Sequence, residues 1–153
     1  MTDFARLIED VSGIIDQEYM VVTRLERIAA LLHDKVEDYN CVAFFLVDPD
    51  NQHQLILGPQ IGHGLDPSGA ILFGQGLCGQ VAERGITMVV DDVTQELNYV
   101  PDHTATKSEI VLPIFRNGQV MAELLINSLK PARFSSEDQL GLEEICLLLT
   151  DQI

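Results

Sequence analysis

Phe73-Gly74-Gln75-Gly76-Leu77-Cys78-Gly79-Gln80-Val81-Ala82-Glu83-Arg84-Gly85 is the stretch on which the fold turns. Closely spaced glycines ahead of a mixed apolar and charged run predict a tight turn whose backbone approaches something closely, then a helix N-terminus. The helix should reach about Arg84 and end on Gly85 as a residue with left-handed backbone. Cys78 has two readings, a small residue packed at the helix start or a reactive thiol, since the dipole of such a helix lowers a thiol pKa and its first turn keeps the thiol partly exposed.

Working outward, Phe4, Leu7, Ile8, Val11 and Ile15 recur at helical spacing, and the series resumes at Val21, Leu25, Ile28, Ala29 and Leu32. Residues 1–35 are therefore read as one or two helices. Cys41 to Val47 is a continuous apolar run closed by Asp48-Pro49-Asp50-Asn51, a buried strand ending in a turn, with Leu55 to Leu57 as its hairpin partner. Residues 61–69 read as a loop before a short strand at Ala70 to Phe73. Ile86 to Val90 is a β-branched strand, and the aperiodic stretch 91–107 is a candidate lid. Ser108 to Phe115 and Gln119 to Asn127 flank Asn117-Gly118, a pair suited to a primed hairpin turn, and are expected to be the central strands. Ser135 caps a last helix that starts with acidic residues and runs to about residue 152. The expected architecture is one α+β domain over residues 1–153. A central antiparallel sheet of about six strands, built from residues 40–130, carries the N- and C-terminal helices on one face.

Charge and composition exclude several classes. With 24 acidic residues against 9 Lys and Arg, the formal charge of −15 repels a phosphate backbone, so nucleic acid is not an expected partner. No apolar run approaches the roughly 18 residues that a membrane span needs. No signal-peptide pattern opens the chain, and a reducing cytoplasm suits its three cysteines, Cys41, Cys78 and Cys146. None of these lies in a zinc-binding spacing, and no carboxylate cluster has metal spacing, so neither metal nor cofactor is expected. The glycine turn lacks the Lys-Ser/Thr of a phosphate loop. Cys41 and Cys146 read as small buried hydrophobes.

The words Gly74-Gln75-Gly76-Leu77-Cys78-Gly79, Val90-Asp91-Asp92-Val93, Ser108-Glu109-Ile110-Val111-Leu112-Pro113, Asn117-Gly118 and Arg133-Phe134 together resemble the GAF domain family over roughly residues 20–153. Within it the chain is most similar to the free methionine-(R)-sulfoxide reductases, which share Tyr39-Asn40 and Leu55-Ile56-Leu57-Gly58-Pro59 as well. That resemblance implies a thiolate that attacks a sulfoxide sulfur and a second thiol that resolves the sulfenic acid. Counted from Cys78, the attacking position falls on Asp102 and the resolving position on Ser68; Cys78 alone of the family's three cysteines remains. The family's ligand-holding carboxylates fall on Glu109, Leu125 and Asn127, so two of the three are absent.

The reading is a non-catalytic or degenerate domain that binds a small molecule, an amino acid or sulfoxide-like compound, as a sensory or interaction module. Its ligand-binding candidates are Glu109, Asn127, Asp102, Gly76 and Ser108. The alternative is an active L-methionine (R)-S-oxide reductase that uses Cys78 with an external thiol. Asp102 with His103, and His53 and His63, read as surface residues. A homodimer through the terminal helices is expected from the apolar stripe Phe4 to Leu32 and from Leu147, Leu148 and Leu149.

Overall fold

A computed structural model describes residues 1–62, 69–96 and 105–153. Two N-terminal helices, α1 (Phe4–Gln17) and α2 (Val21–Lys35), precede strands β1 (Cys41–Asp48), β2 (Asn51–Gly62) and β3 (Ile71–Leu72). Helix α3 (Gly76–Arg84), strand β4 (Met88–Val90), a 3₁₀ turn at Val93–Gln95, strands β5 (Ser108–Arg116) and β6 (Gln119–Ser128), and helix α4 (Ser136–Leu148) follow. The strands form one antiparallel sheet in the order β3-β2-β1-β6-β5-β4. The centre is therefore β1 with β6, while β5 lies one strand from the edge, a correction to the expectation that the β5-β6 hairpin is central. The N-terminal hairpin pairs with β6 and moves β5 outward.

Alternation along each strand divides the core in two. Val42, Phe44, Ile110, Leu112, Ile114, Ala122, Leu124 and Ile126 face α1, α2 and α4, where Leu25, Ile28, Leu32, Leu142 and Ile145 are buried. Phe45, Val47, Val111 and Leu125 face the other way, against Leu77, Cys78, Val81 and Ala82 of α3. The terminal helices thus share one face, as expected, and α3 covers the opposite one.

Local chemistry explains the boundaries. Asn117 and Gly118 have φ of 52° and 77°, the left-handed pair of a primed turn, and Arg116 pairs with Gln119 across it. Ser135 and Asp138 exchange hydrogen bonds as a capping box at the start of α4. Asp138 also accepts from Tyr39 Oη at 2.6 Å and pairs with Arg133, whose guanidinium lies over the Tyr39 ring, which joins the start of α4 to the segment before β1. Buried Arg24 donates to the carbonyls of Ile15, Glu18 and Gln152, tying the end of α1 to the end of the chain.

Strand β2 is longer than the Leu55 to Leu57 core read from sequence, because it runs through Gly58-Pro59. Ala43 pairs with Gln60 and Phe45 with Leu57, so Gly58 and Pro59 together face Phe44 in a bulge. The bulge accommodates a proline, which has no N–H to donate, inside a paired strand. Ile61 and Gly62, expected in a loop, close this strand, while β3 and β4 are shorter than read. Residues 97–104 of the candidate lid, and residues 63–68, lie outside the described residues.

Candidate functional site

The face under α3 carries three transverse rows, each spanning β1, β6 and β5. Cys41, Asn127 and Glu109 form the first, Ala43, Leu125 and Val111 the second, and Phe45, Glu123 and Pro113 the third. Glu109, Asn127 and Glu123 are polar, and all three are buried. The sequence reading assigned Glu109 and Asn127 to a ligand and passed over Glu123. Its signal was present: Glu123, Leu125 and Asn127 alternate with the apolar Ala122, Leu124 and Ile126 and so share a face.

Helix α3 begins from the glycine turn. Gly74 (φ 87°) and Gly76 (φ 63°) supply left-handed backbone, and the Gly74 N–H donates to the Gly79 carbonyl at 2.8 Å. A Cβ on Gly79 would run into the Leu72 carbonyl oxygen, so the close backbone approach foreseen for this turn is that of α3 to β3. The side chain of Gln80 donates to the Gly76 carbonyl at 3.1 Å.

Cys78 is the third residue of α3 and is buried, 5% exposed. Burial is the largest influence on its thiol, followed by the charges of Glu123 and Glu109, and all of them push its pKa well above the ordinary value. Of the two readings of Cys78, the small packed residue fits this burial and the partly exposed thiol with lowered pKa does not. The dipole of a three-turn helix is outweighed by loss of water and by two nearby carboxyls.

Glu123 is fully buried, and neither carboxyl oxygen makes a full hydrogen bond. The Cys78 thiol, a weak donor, acts on it and favours its ionised form, but burial dominates and pushes the Glu123 carboxyl well above its ordinary value. Burial thus disfavours the ionised form of both groups.

The other candidates are placed differently. Ser108 lies on the opposite face, in line with Ile110 and Leu112; its hydroxyl donates to the Lys130 carbonyl at 2.6 Å and accepts from the Arg133 N–H, holding the β6-α4 connection. Gly76 shapes the turn with its backbone. Ser68, Asp102, His63 and His103 lie outside the described residues. Cys41, read as an inert core residue, is fully buried and lies on the α3 face in one row with Asn127 and Glu109, whereas Cys146, also buried, lies on α4 at the opposite face. No disulfide joins the cysteines.

A six-stranded antiparallel sheet with terminal helices on one face and a glycine-started helix over the other defines a small-ligand-binding type of α+β domain. The chain belongs to the GAF domain family, whose pattern matches residues 22–151. It is 30% identical to the free methionine-R-sulfoxide reductase of Escherichia coli K12 over 142 residues, 93% of this chain and 83% of that protein. Among solved structures, fRMsr of Staphylococcus aureus in its reduced form superposes with a TM-score of 0.90 at 32% identity, covering 99% of this chain and 96% of that one. Free methionine-R-sulfoxide reductase from Neisseria meningitidis in complex with its substrate gives 0.90 at 30% identity, covering 97% and 87%. Among the described residues no helix is long and apolar enough to cross a membrane.

Proposed function

We propose that this chain is a non-catalytic GAF domain that binds a small molecule against the α3 face of its sheet and serves as a sensory or interaction module. One observation carries this reading: the thiol retained from the reductase-like sequence words is buried, and burial together with Glu123 and Glu109 opposes its ionisation. Attack on a sulfoxide sulfur requires a thiolate. Asp and Ser stand at residues 102 and 68, where the resemblance would put the attacking and resolving thiols. Purified protein is expected to show no reduction of free methionine-(R)-sulfoxide with dithiothreitol or thioredoxin. Turnover at an ordinary enzymatic rate would overturn the proposal.

A second reading, a reductase that uses Cys78 with an external thiol, draws support from the substrate complex of the Neisseria meningitidis relative and from the placement of Cys41 on the same face. It requires a sulfenic acid on Cys78 after exposure to the sulfoxide. Intact-mass analysis with a sulfenic-acid trap decides, and absence of the adduct removes this reading.

The proposal places the domain in the cytoplasm as a homodimer. The α1 and α2 stripe is largely consumed by the domain's own core, so the surface left for a second copy is that around exposed Leu140 and Leu147 of α4. Sedimentation checks this, with a monomer at high micromolar concentration as the contrary result.

A further inference from the structure

We infer that Glu123 anchors the cationic group of a small organic amine that carries no carboxylate, held on the α3 face beside Cys78. The inference deepens the ligand-binding reading above and rests on it. Its basis is an acid with neither exposure to water nor a full hydrogen bond to either oxygen, on the face that also bears Glu109 and Asn127. Such a group costs stability unless something supplies donors, and an ammonium or guanidinium supplies several. Residues 123 and 127 are separated by about 13 Å of strand at roughly 3.3 Å per residue. Glu123 and Glu109 therefore lie in well-separated rows, and both act on Cys78.

Two features narrow the ligand. Among the described residues no cluster of His, Cys, Asp or Glu is gathered tightly enough to hold a metal ion, and the donor inferred is an organic cation. Among the described residues the three rows of this face contain no Lys, Arg or His, so a carboxylate on the ligand would meet two acids and no cation from these strands. A simple amine is thus favoured over the corresponding α-amino acid. The resemblance to the reductases places carboxylates at residues 109, 125 and 127; with Leu125 apolar, Glu123 moves the acidic anchor one row toward the β5-β6 turn. Glu123 is a specificity-determining residue in this view, and Leu125 supplies apolar surface between the two acids.

Proton balance supplies a distinctive signature. The groups facing Glu123 are Cys78 from α3, with Glu109 beyond it on β5, and its strand neighbours Phe45 and Pro113 do not titrate. Burial keeps the free Glu123 carboxyl protonated to higher pH than usual. Capture of an ammonium ion converts the acid to its carboxylate and releases one proton to solvent.

The matched probes are 3-(methylthio)propylamine and methionine, which share a side chain and differ by the carboxylate. They are titrated calorimetrically into wild type and Glu123→Gln at pH 7 in two buffers of different ionisation enthalpy, with a thermal-shift panel of neutral and acidic metabolites alongside. The expected result is tighter binding of the amine than of methionine, net proton release on amine binding, and loss of about tenfold or more in amine affinity on Glu123→Gln, with proton release abolished. Methionine binding as tightly as the amine, or an amine affinity unchanged by Glu123→Gln in a variant of native far-UV spectrum, overturns the inference. Should Glu123→Gln fail to fold, the wild-type preference and proton count decide alone. Binding only of neutral or acidic compounds defeats the inference and leaves the binding-module reading intact; no binding by any compound defeats both.

Discussion

Replacing Glu123 with methionine should stabilise the protein at neutral pH. Glu123 is 0% exposed and neither oxygen makes a full hydrogen bond, while Met fills a similar volume without polar atoms. An unsatisfied buried polar group costs about 1–3 kcal/mol. For a chain of this size that corresponds to a rise of about 2–12 °C in Tm, at about 2–4 °C per kcal/mol. The gain must depend on pH in a particular direction. The folded carboxyl holds its proton above the ordinary value of 4.5, so the folded state binds more protons than the unfolded one once pH exceeds that value. Wild-type stability contributed by this group is complete below 4.5 and is lost as pH rises through the folded value, with a limiting slope of about 1.4 kcal/mol per pH unit. Urea unfolding followed by circular dichroism at pH 5 and pH 8 should therefore show Glu123→Met ahead of wild type by a margin that widens at pH 8. A variant less stable than wild type at pH 8, or a margin independent of pH, would show that the carboxyl has partners and would refute the reasoning.

Gly79→Ala forces a Cβ against the Leu72 carbonyl, a backbone atom with little room to yield, and should cost about 1–3 kcal/mol in the same unfolding assay. Tyr39→Phe removes the 2.6 Å hydrogen bond to Asp138 and should cost about 1–2 kcal/mol. Burial opposes ionisation of Asp138, but hydrogen bonds from Tyr39 and Ser135 and the Arg133 charge outweigh it and hold its carboxyl below the ordinary 3.8. Its contribution is present above that value and lost as pH falls through the folded one, so Tyr39→Phe should make the acid limb of the stability profile shallower. Iodoacetamide at pH 7.5 should modify Cys78 at least about tenfold more slowly than free cysteine, since each unit of raised pKa removes tenfold of the thiolate. Rapid alkylation at that residue, mapped by mass spectrometry, would contradict the buried, carboxyl-flanked thiol.

Much of the fold was legible because local signals agree with it. The Asn117-Gly118 turn, the Ser135 cap, Gly85 at the end of α3 and the helical spacing of Leu7, Val11, Leu25 and Ile28 each depend on a few neighbouring residues. The glycine run around Cys78 likewise announced a turn and a helix. Strand order was less accessible. Whether β5 or β1 lies beside β6 on a given side depends on pairings between residues 76 to 86 positions apart, and adjacency in sequence favoured the wrong centre.

The site divides along the same line. From its sequence alone, the chain determined a GAF scaffold, a buried-type Glu109 at the head of a strand, and a missing partner set for Cys78. Tertiary structure alone decided the state of that thiol. A helix N-terminus lowers a thiol pKa only while water or a cation can share the charge. Packing α3 on the sheet removes water and brings Cys78 under the influence of Glu123 and Glu109, so burial and two residues distant in sequence decide between the readings that the local motif leaves open.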